Sequence, residues 1–386
     1  MRKHAHKFKG VNSMIDRERL VREFIELARI PSLSKKERAV AEVVADKLRA
    51  LGLEPRFDSA GESIGGDVGN LRAHLPATDP NLPCLLFNAH MDTVAPGEGI
   101  EPAVDGDRIF SLSDTIVGAD DKGGVVVILE ALRHITALKL PHGGIDVVFT
   151  VAEEVGLLGA KHLDYSNVQA AMGYVMDGGQ EEGAITVAAP YANSIDFVVR
   201  GRAAHAGVCP EKGINAIQAA SRGIAAMKLG RIDEETTANV GVITGGEASN
   251  IVPERCSVEG EARSHSESKL RAQTDHMVKS MKQAAEGMGA QVEIDVQRSY
   301  NGFRLTEKDP VVALAIKAAR QMGVEPKLQV GGGGSDANIF NERGIPSVIL
   351  ATGHAEVHTT NEYAVIPAMV RAAEWLVAIV GALSTG

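Results

Sequence analysis

The sequence predicts an α/β fold, a mostly parallel sheet interrupted by an inserted βαββαβ unit, and three observations lead there. Near-continuous apolar runs of strand length at Cys84–Phe87, Asp146–Val151 and Tyr174–Met176 read as parallel strands buried on both faces. A helical stretch, Val125–Leu138, lies between the first two, as a crossover between parallel strands requires. Between residues 188 and 300 the texture changes to alternating strands and two helices, a set that can close a small sheet of its own.

Taken in order, the first legible element is helical, with Leu20, Val21, Phe24, Leu27 and Ala28 recurring at three- and four-residue spacing. A second helix covers residues 36–51 and is closed by Gly52. The three buried strands and their helix follow. In the insertion, Ile195–Val199 alternates as a half-buried strand, Asn215–Leu229 is helical, and Val240–Ile243 and Cys256–Ala262 are strand-like. Ser268–Gly287 is helical again, and Val292–Val296 alternates. The α/β pattern resumes with helix Pro310–Gln321, strand Lys327–Val330, helix Ala337–Arg343, strand Ser347–Ala351 and helix Pro367–Val380. Gly331–Gly334 leads from a strand into a helix rather than between domains, and lacks the Gly-Lys-Ser/Thr ending of a phosphate loop. The expected organisation is a discontinuous first domain, residues 14–187 and 301–386, an insertion at residues 188–300, and a solvated tail at residues 1–13.

Composition narrows the function classes. At 386 residues the chain exceeds what one core usually serves. A net charge of −10 and 4% aromatic residues argue against a nucleic-acid partner. No apolar run reaches 18 residues, and the basic start lacks an apolar stretch of signal-peptide type, so no membrane partner is expected. Cys84, Cys209 and Cys256 are widely spaced small hydrophobes outside any metal-finger pattern, which suits a reducing, cytoplasmic setting.

The chemistry collects where the strands end. His90 and Asp92, then Glu153 and Glu154, then Asp177, then His354, Glu356 and His358 follow four separate strands, and Asp120 and Asp121 sit in a loop entering the Val125–Leu138 helix. In an open parallel sheet these ends meet in one crevice. So many carboxylates repel one another unless cations sit among them, and imidazole with carboxylate is the ligand set of zinc, manganese or cobalt. Two divalent ions fit, with Asp120 bridging, His90 and Asp177 on one ion, and Glu154 and His358 on the other. Neighbouring residues at a strand end point in different directions, so one of Glu153 and Glu154 can ligate while the other stays free as a general base. Asp92 is placed to accept the proton on the second nitrogen of His90.

The motifs His90-Met91-Asp92-Thr93-Val94, Gly118-Ala119-Asp120-Asp121-Lys122, Glu153-Glu154, Asp177 and the late His358 resemble the M20 family of dinuclear metallopeptidases, most closely its tripeptidase T-like aminopeptidase branch. The resemblance runs from about Ile15 to Ala382 and implies a metal-binding α/β domain with an inserted lid, often used for dimerisation. It further implies a cis peptide bond at Asp120–Asp121, Glu153 as the catalytic base, Glu154 as the metal ligand and Asp92 as support for His90. Asp rather than Glu at position 177 is what the aminopeptidase and dipeptidase branches carry. In the insertion the resemblance implies substrate roles for His205, which would polarise the scissile carbonyl, and for Arg263 with Asn250, which would hold a substrate carboxylate. The activity so implied is removal of the amino-terminal residue from a short peptide by a homodimer. A deacylase of N-acyl amino acids on the same scaffold is the alternative. A non-catalytic binding protein is a remote one, because Glu153 and all five proposed ligands are present.

Overall fold

The structure, a computed structural model, describes residues 15–384, so the tail expected at residues 1–13 lies outside the described residues. The chain divides into two compact units. One holds the residues up to Val187, Leu305–Val330 and the chain from Ser335 on; the other holds Ala188–Arg304 and Gly331–Gly334.

Four parallel strands form the middle of the first unit's sheet, in the order Ile145–Thr150, Leu85–His90, Met172–Gly179 and Ser347–Ala355. The first two are buried at every position, which is why they read as near-continuous apolar runs instead of alternating ones. Antiparallel strands Leu71–Leu75 and Arg56–Phe57 extend one side. Tyr363–Val365, Arg108–Ser111 and Pro102–Asp105 extend the other. These edge strands are short and partly exposed, so they carry little of the continuous apolar signal of the central strands.

Helix Arg17–Ala28 starts at Asp16, whose side chain accepts a hydrogen bond from the Arg19 amide, and it buries Leu20, Phe24 and Leu27. Helices Ala119–Leu138 and Ile366–Leu383 pack against each other and against the sheet. Each fully buried Leu, Val or Phe in this core contributes about 1.5–3 kcal/mol. Ile366–Leu383 is long and apolar enough to cross a membrane by length and composition, but it is a core helix. Arg371 and Glu374 interrupt it, Leu376, Ile379 and Val380 are buried, and Trp375 donates its indole N–H to the Ala315 carbonyl at 3.0 Å.

The second unit is a five-stranded antiparallel sheet in the order Gly230–Arg231, Thr236–Gly245, Arg255–Ser264, Tyr191–Arg200, Gln291–Tyr300. Helices Ala216–Ala226 and Glu267–Glu286 bring Ala219, Ala220, Met277 and Met281 to Ile195, Phe197, Val199 and Val258 in its own core. The βαββαβ order expected from the sequence is present, with the two-residue strand Gly230–Arg231 added. One boundary differs: Gly331–Gly334, assigned with residues 301–386 to the first domain and read as a backbone nest, clusters with the second unit. The Gly331 amide donates to the Ala188 carbonyl at 2.8 Å, and a Cβ on Gly334 would overlap the Tyr300 ring. Spatial contact, not chain order, sets that boundary.

Candidate metal centre

His90 closes its strand and is buried. Its Nε2 lies 3.0 Å from Asp120 Oδ1 and 4.0 Å from Asp177 Oδ1. Its Nδ1 lies 3.0 Å from the Asp92 carbonyl and 3.4 Å from Asp92 Oδ1, so Asp92 stands at the second imidazole nitrogen. The Asp92 carboxylate also accepts from Ser34 Oγ at 2.6 Å and from the Glu153 and Glu154 amides at 2.9 and 3.2 Å. It thereby aims both the histidine and the pair of glutamates.

On the other side, His358 Nε2 lies 3.1 and 3.0 Å from the two Glu154 oxygens and 3.5 Å from Asp120 Oδ2. Asp120 thus turns one oxygen toward His90 and the other toward His358. Three sets of potential donor atoms result, His90–Asp120–Asp177, Asp120–Glu154–His358 and His90–Glu153–Glu154, each with its atoms within 4.8 Å of one another. A fourth, Asp121–Asp177–His354, adjoins them. Every residue expected around the two ions is therefore in one cluster, and His354, to which the sequence assigned no role, stands beside it.

The backbone that presents these groups is held from behind. Asp120 and Asp121 have non-helical φ/ψ at the start of helix Ala119–Leu138, and the bond between them is cis. Buried Glu362 accepts the amides of Val117, Gly118 and Asp120 at 2.8, 2.7 and 3.0 Å. Asp121 accepts the amides of His90 and Gly124 at 3.2 and 3.1 Å. Gly124 is required, since a Cβ there would overlap the Met176 carbonyl. Ala152, Glu356 and His358 have φ of 51°, 54° and 61°, a left-handed conformation that non-glycine residues hold only where surroundings enforce it. For Ala152 the enforcing contact is buried Glu37, which accepts the Ala152 amide at 2.9 Å and the Lys35 amide at 2.8 Å.

Charge explains what the cluster is built for. Burial and the repulsion of Asp120 push Asp177 well above the usual carboxylate range, and burial with Asp177 nearby does the same to Asp121. Burial also raises Glu153, against the opposing pull of His90. Burial disfavours the charge of Asp120 too, but the imidazoles of His354, His358 and His90 outweigh it and hold that carboxyl low. Asp120 and Glu154 push His358 up to about 10. Five acidic side chains share the space with three imidazoles, so protons must be retained unless multivalent cations replace them. The donor set therefore fits divalent metal ions.

The residues expected to bind substrate lie in the second unit. His205 is exposed, and its Nδ1 accepts the Gly207 and Val208 amides at 3.1 Å each, which leaves Nε2 as the protonated, outward nitrogen. Asn250 is its neighbour, its carbonyl accepting the Ala206 amide at 2.9 Å. Arg263, half-buried, donates to Glu261 at 3.0 and 2.9 Å.

Sequence reasoning missed Ser34, Glu37 and Glu362. Glu37 precedes a predicted helix and resembles an ordinary end residue, while Glu362 is an acid in an irregular loop with no periodic pattern. Only long-range contacts reveal them, distant backbone amides for Glu37 and Glu362 and the Asp92 carboxylate for Ser34.

The chain matches the peptidase family M20/M25/M40 over residues 86–382. It is 42% identical over 367 residues to the uncharacterized protein YqjE of Bacillus subtilis (strain 168), covering 95% of this chain and 99% of that one. Among solved structures it is similar to the aminopeptidase PepT from Bacillus cereus ATCC 10987, with TM-score 0.85, 42% identity and coverage of 96% and 100%. It is also similar to a tripeptidase from Staphylococcus aureus subsp. aureus Mu50, with TM-score 0.89, 38% identity and coverage of 97% and 100%. The chain belongs to peptidase family M20/M25/M40. It is a metallopeptidase, and the resemblance carried by its motifs is borne out.

Proposed function

We propose that this peptidase removes the amino-terminal residue from short, unblocked peptides, using two divalent cations, zinc foremost with manganese or cobalt able to substitute. The observation that carries the reading is Asp120, whose two oxygens face His90 with Asp177 on one side and His358 with Glu154 on the other. When bound, two cations would supply Lewis acidity toward the scissile carbonyl and acidify a water. His90 and Asp177 would hold one ion, Glu154 and His358 the other, and Asp120 both.

Glu153 is the general base. Its carboxylate takes a proton from the attacking water and delivers it to the nitrogen of the leaving amine. Asp92, gripping the Glu153 amide at 2.9 Å, keeps that carboxylate aimed. The aminopeptidase and tripeptidase relatives support a substrate with a free amino end, as does Asp at position 177. In the second unit, His205 would donate from Nε2 to the carbonyl oxygen, and Arg263 with Asn250 would engage the substrate carboxylate. We assign the same unit a lid and dimerisation role, to which the exposed Val242, Ile243 and Val296 lend an apolar surface. The setting we assign is the cytoplasm.

The test is a comparison of Ala-Ala-Ala with its N-acetylated form. Release of the first residue from the free tripeptide only is expected. Cleavage of the acetylated peptide alone would make the protein an N-acyl amino acid deacylase, and cleavage of neither would remove the aminopeptidase reading.

A further inference from the structure

The sheet edge opposite the metal centre carries a second group of metal-ligating side chains that the reaction does not use. His74, Cys84 and Asp146 place potential donor atoms within 4.8 Å of one another. They come from two paired strands and from the residue that leads into a third. His74 and Asp146 are register partners across the antiparallel pair, and Cys84 immediately precedes Leu85, the partner of Ile145. Strands Leu85–His90 and Ile145–Thr150 begin here and end at the catalytic cluster.

The contacts are specific. His74 Nδ1 lies 2.7 Å from Asp146 Oδ1, and the Cys84 thiol points at Asp146 Oδ2 from 3.7 Å. Two protons are thus aimed at one carboxylate. The amides of Gln169 and Ala170 also donate to Asp146 Oδ2, at 2.6 and 2.9 Å, fixing its orientation. Cys84 and Asp146 are buried, whereas the His74 side chain is 34% exposed and leaves a way in from solvent. Gly144 faces the group, with its Cβ position 3.1 Å from His74 Cε1 and 3.3 Å from Cys84 Sγ, so a larger residue would crowd both.

We infer that His74, Cys84 and Asp146 form a structural binding site for a zinc-class divalent cation, separate from the catalytic centre. Imidazole, thiolate and carboxylate together are a zinc ligand set, and three protein ligands leave a fourth position for water. Bond lengths of about 2.0–2.3 Å set tetrahedral donor separations of roughly 3.3–3.8 Å; the Cys84–Asp146 separation of 3.7 Å meets this, and the 2.7 Å His74–Asp146 contact would widen once the proton between them has moved away. On binding, Cys84 releases its S–H proton to solvent and becomes a thiolate. The His74 proton moves from Nδ1 to Nε2, so that Nδ1 takes the cation while Asp146 stays ionised. Thiolate, carboxylate and dication leave the set neutral. The ion would join three strands at the end of the sheet remote from catalysis.

Cobalt distinguishes this site from the catalytic one, because none of the catalytic ligands is a cysteine. Titration of the metal-free protein with Co(II) should produce a sulfur-to-cobalt charge-transfer absorption in the near-ultraviolet. The band should vanish in Cys84→Ser and persist in Cys209→Ser and Cys256→Ser. His74→Gln should weaken the affinity read from it by at least about tenfold. Both Cys84→Ser and His74→Gln should retain peptide hydrolysis, which also shows that they fold. Absence of the band in the wild-type protein at saturating Co(II), or a band that survives Cys84→Ser, would overturn the site.

Discussion

Replacing Glu362 by alanine should damage both stability and catalysis, although Glu362 is not among the proposed ligands. Its buried carboxylate accepts the Val117, Gly118 and Asp120 amides at 2.8, 2.7 and 3.0 Å. Each buried donor left without a partner costs about 1–3 kcal/mol. Water entering the vacated space offsets part of this, so a loss near the lower bound, about 3 kcal/mol, is expected. For a chain of this length that corresponds to a melting temperature lower by roughly 3–6 °C. The amide of Asp120 itself is released, so the carboxylate that faces both histidines loses its aim. Disturbing the supports of metal ligands typically costs about 10–100-fold in metal affinity or activity. Glu362→Gln retains one acceptor oxygen and should fall between the wild type and alanine. Thermal unfolding, metal titration and tripeptide hydrolysis on the three proteins check this. A Glu362→Ala protein that melts within about 1 °C of the wild type, binds metal equally and turns over equally would refute the reasoning.

Three further outcomes follow from other contacts. Glu153→Ala should abolish turnover while leaving metal content intact by elemental analysis; undiminished turnover would remove Glu153 as the base. Gly124→Ala drives a methyl into the Met176 carbonyl and should cost about 1–3 kcal/mol in denaturant unfolding, with an unchanged midpoint contradicting the packing described. Burial would raise Glu130, but the Arg19 guanidinium, at 2.8 and 2.7 Å, and the Asp16 amide hold its carboxyl below 4.5. The unfolded chain therefore binds the extra proton first, so this contribution is complete above about pH 4.5 and fades as pH falls through the folded value. Arg19→Met should accordingly be less stable than the wild type at pH 7, by a deficit that narrows in acid when urea unfolding is followed at both pH values. An equal deficit at pH 7 and well below 4.5 would contradict the pairing.

Legibility in the sequence followed burial and chain proximity. Strands buried on both faces announced themselves: Cys84–Phe87 anticipated Leu85–His90, and Asp146–Val151 anticipated Ile145–Thr150. The hairpin of Pro102–Asp105 and Arg108–Ser111 did not, because partly exposed four-residue strands carry almost no apolar signal. The metal-ligand types were legible because strand ends of a parallel sheet converge, so His90, Glu154, Asp177 and His358 could be grouped before any distance was known. What holds them was not. Glu37 and Glu362 act through backbone amides 115 and 242–245 residues away in sequence, and no spacing rule links an acid to a distant amide. Gly331–Gly334 was misplaced for a related reason, since it joins the second unit through Ala188 and Tyr300, residues distant in the chain that no local pattern links to it.

The most direct measurement is anomalous diffraction from crystals of the zinc-loaded protein, recorded at the metal edge. Apart from the peak inferred at His74, Cys84 and Asp146, the account predicts two peaks about 3.5–4 Å apart flanking the Asp120 carboxylate, one contacted by His90 and Asp177 and the other by Glu154 and His358. A single peak at the Asp120 cluster, or peaks that leave Asp120 uncoordinated, would contradict it.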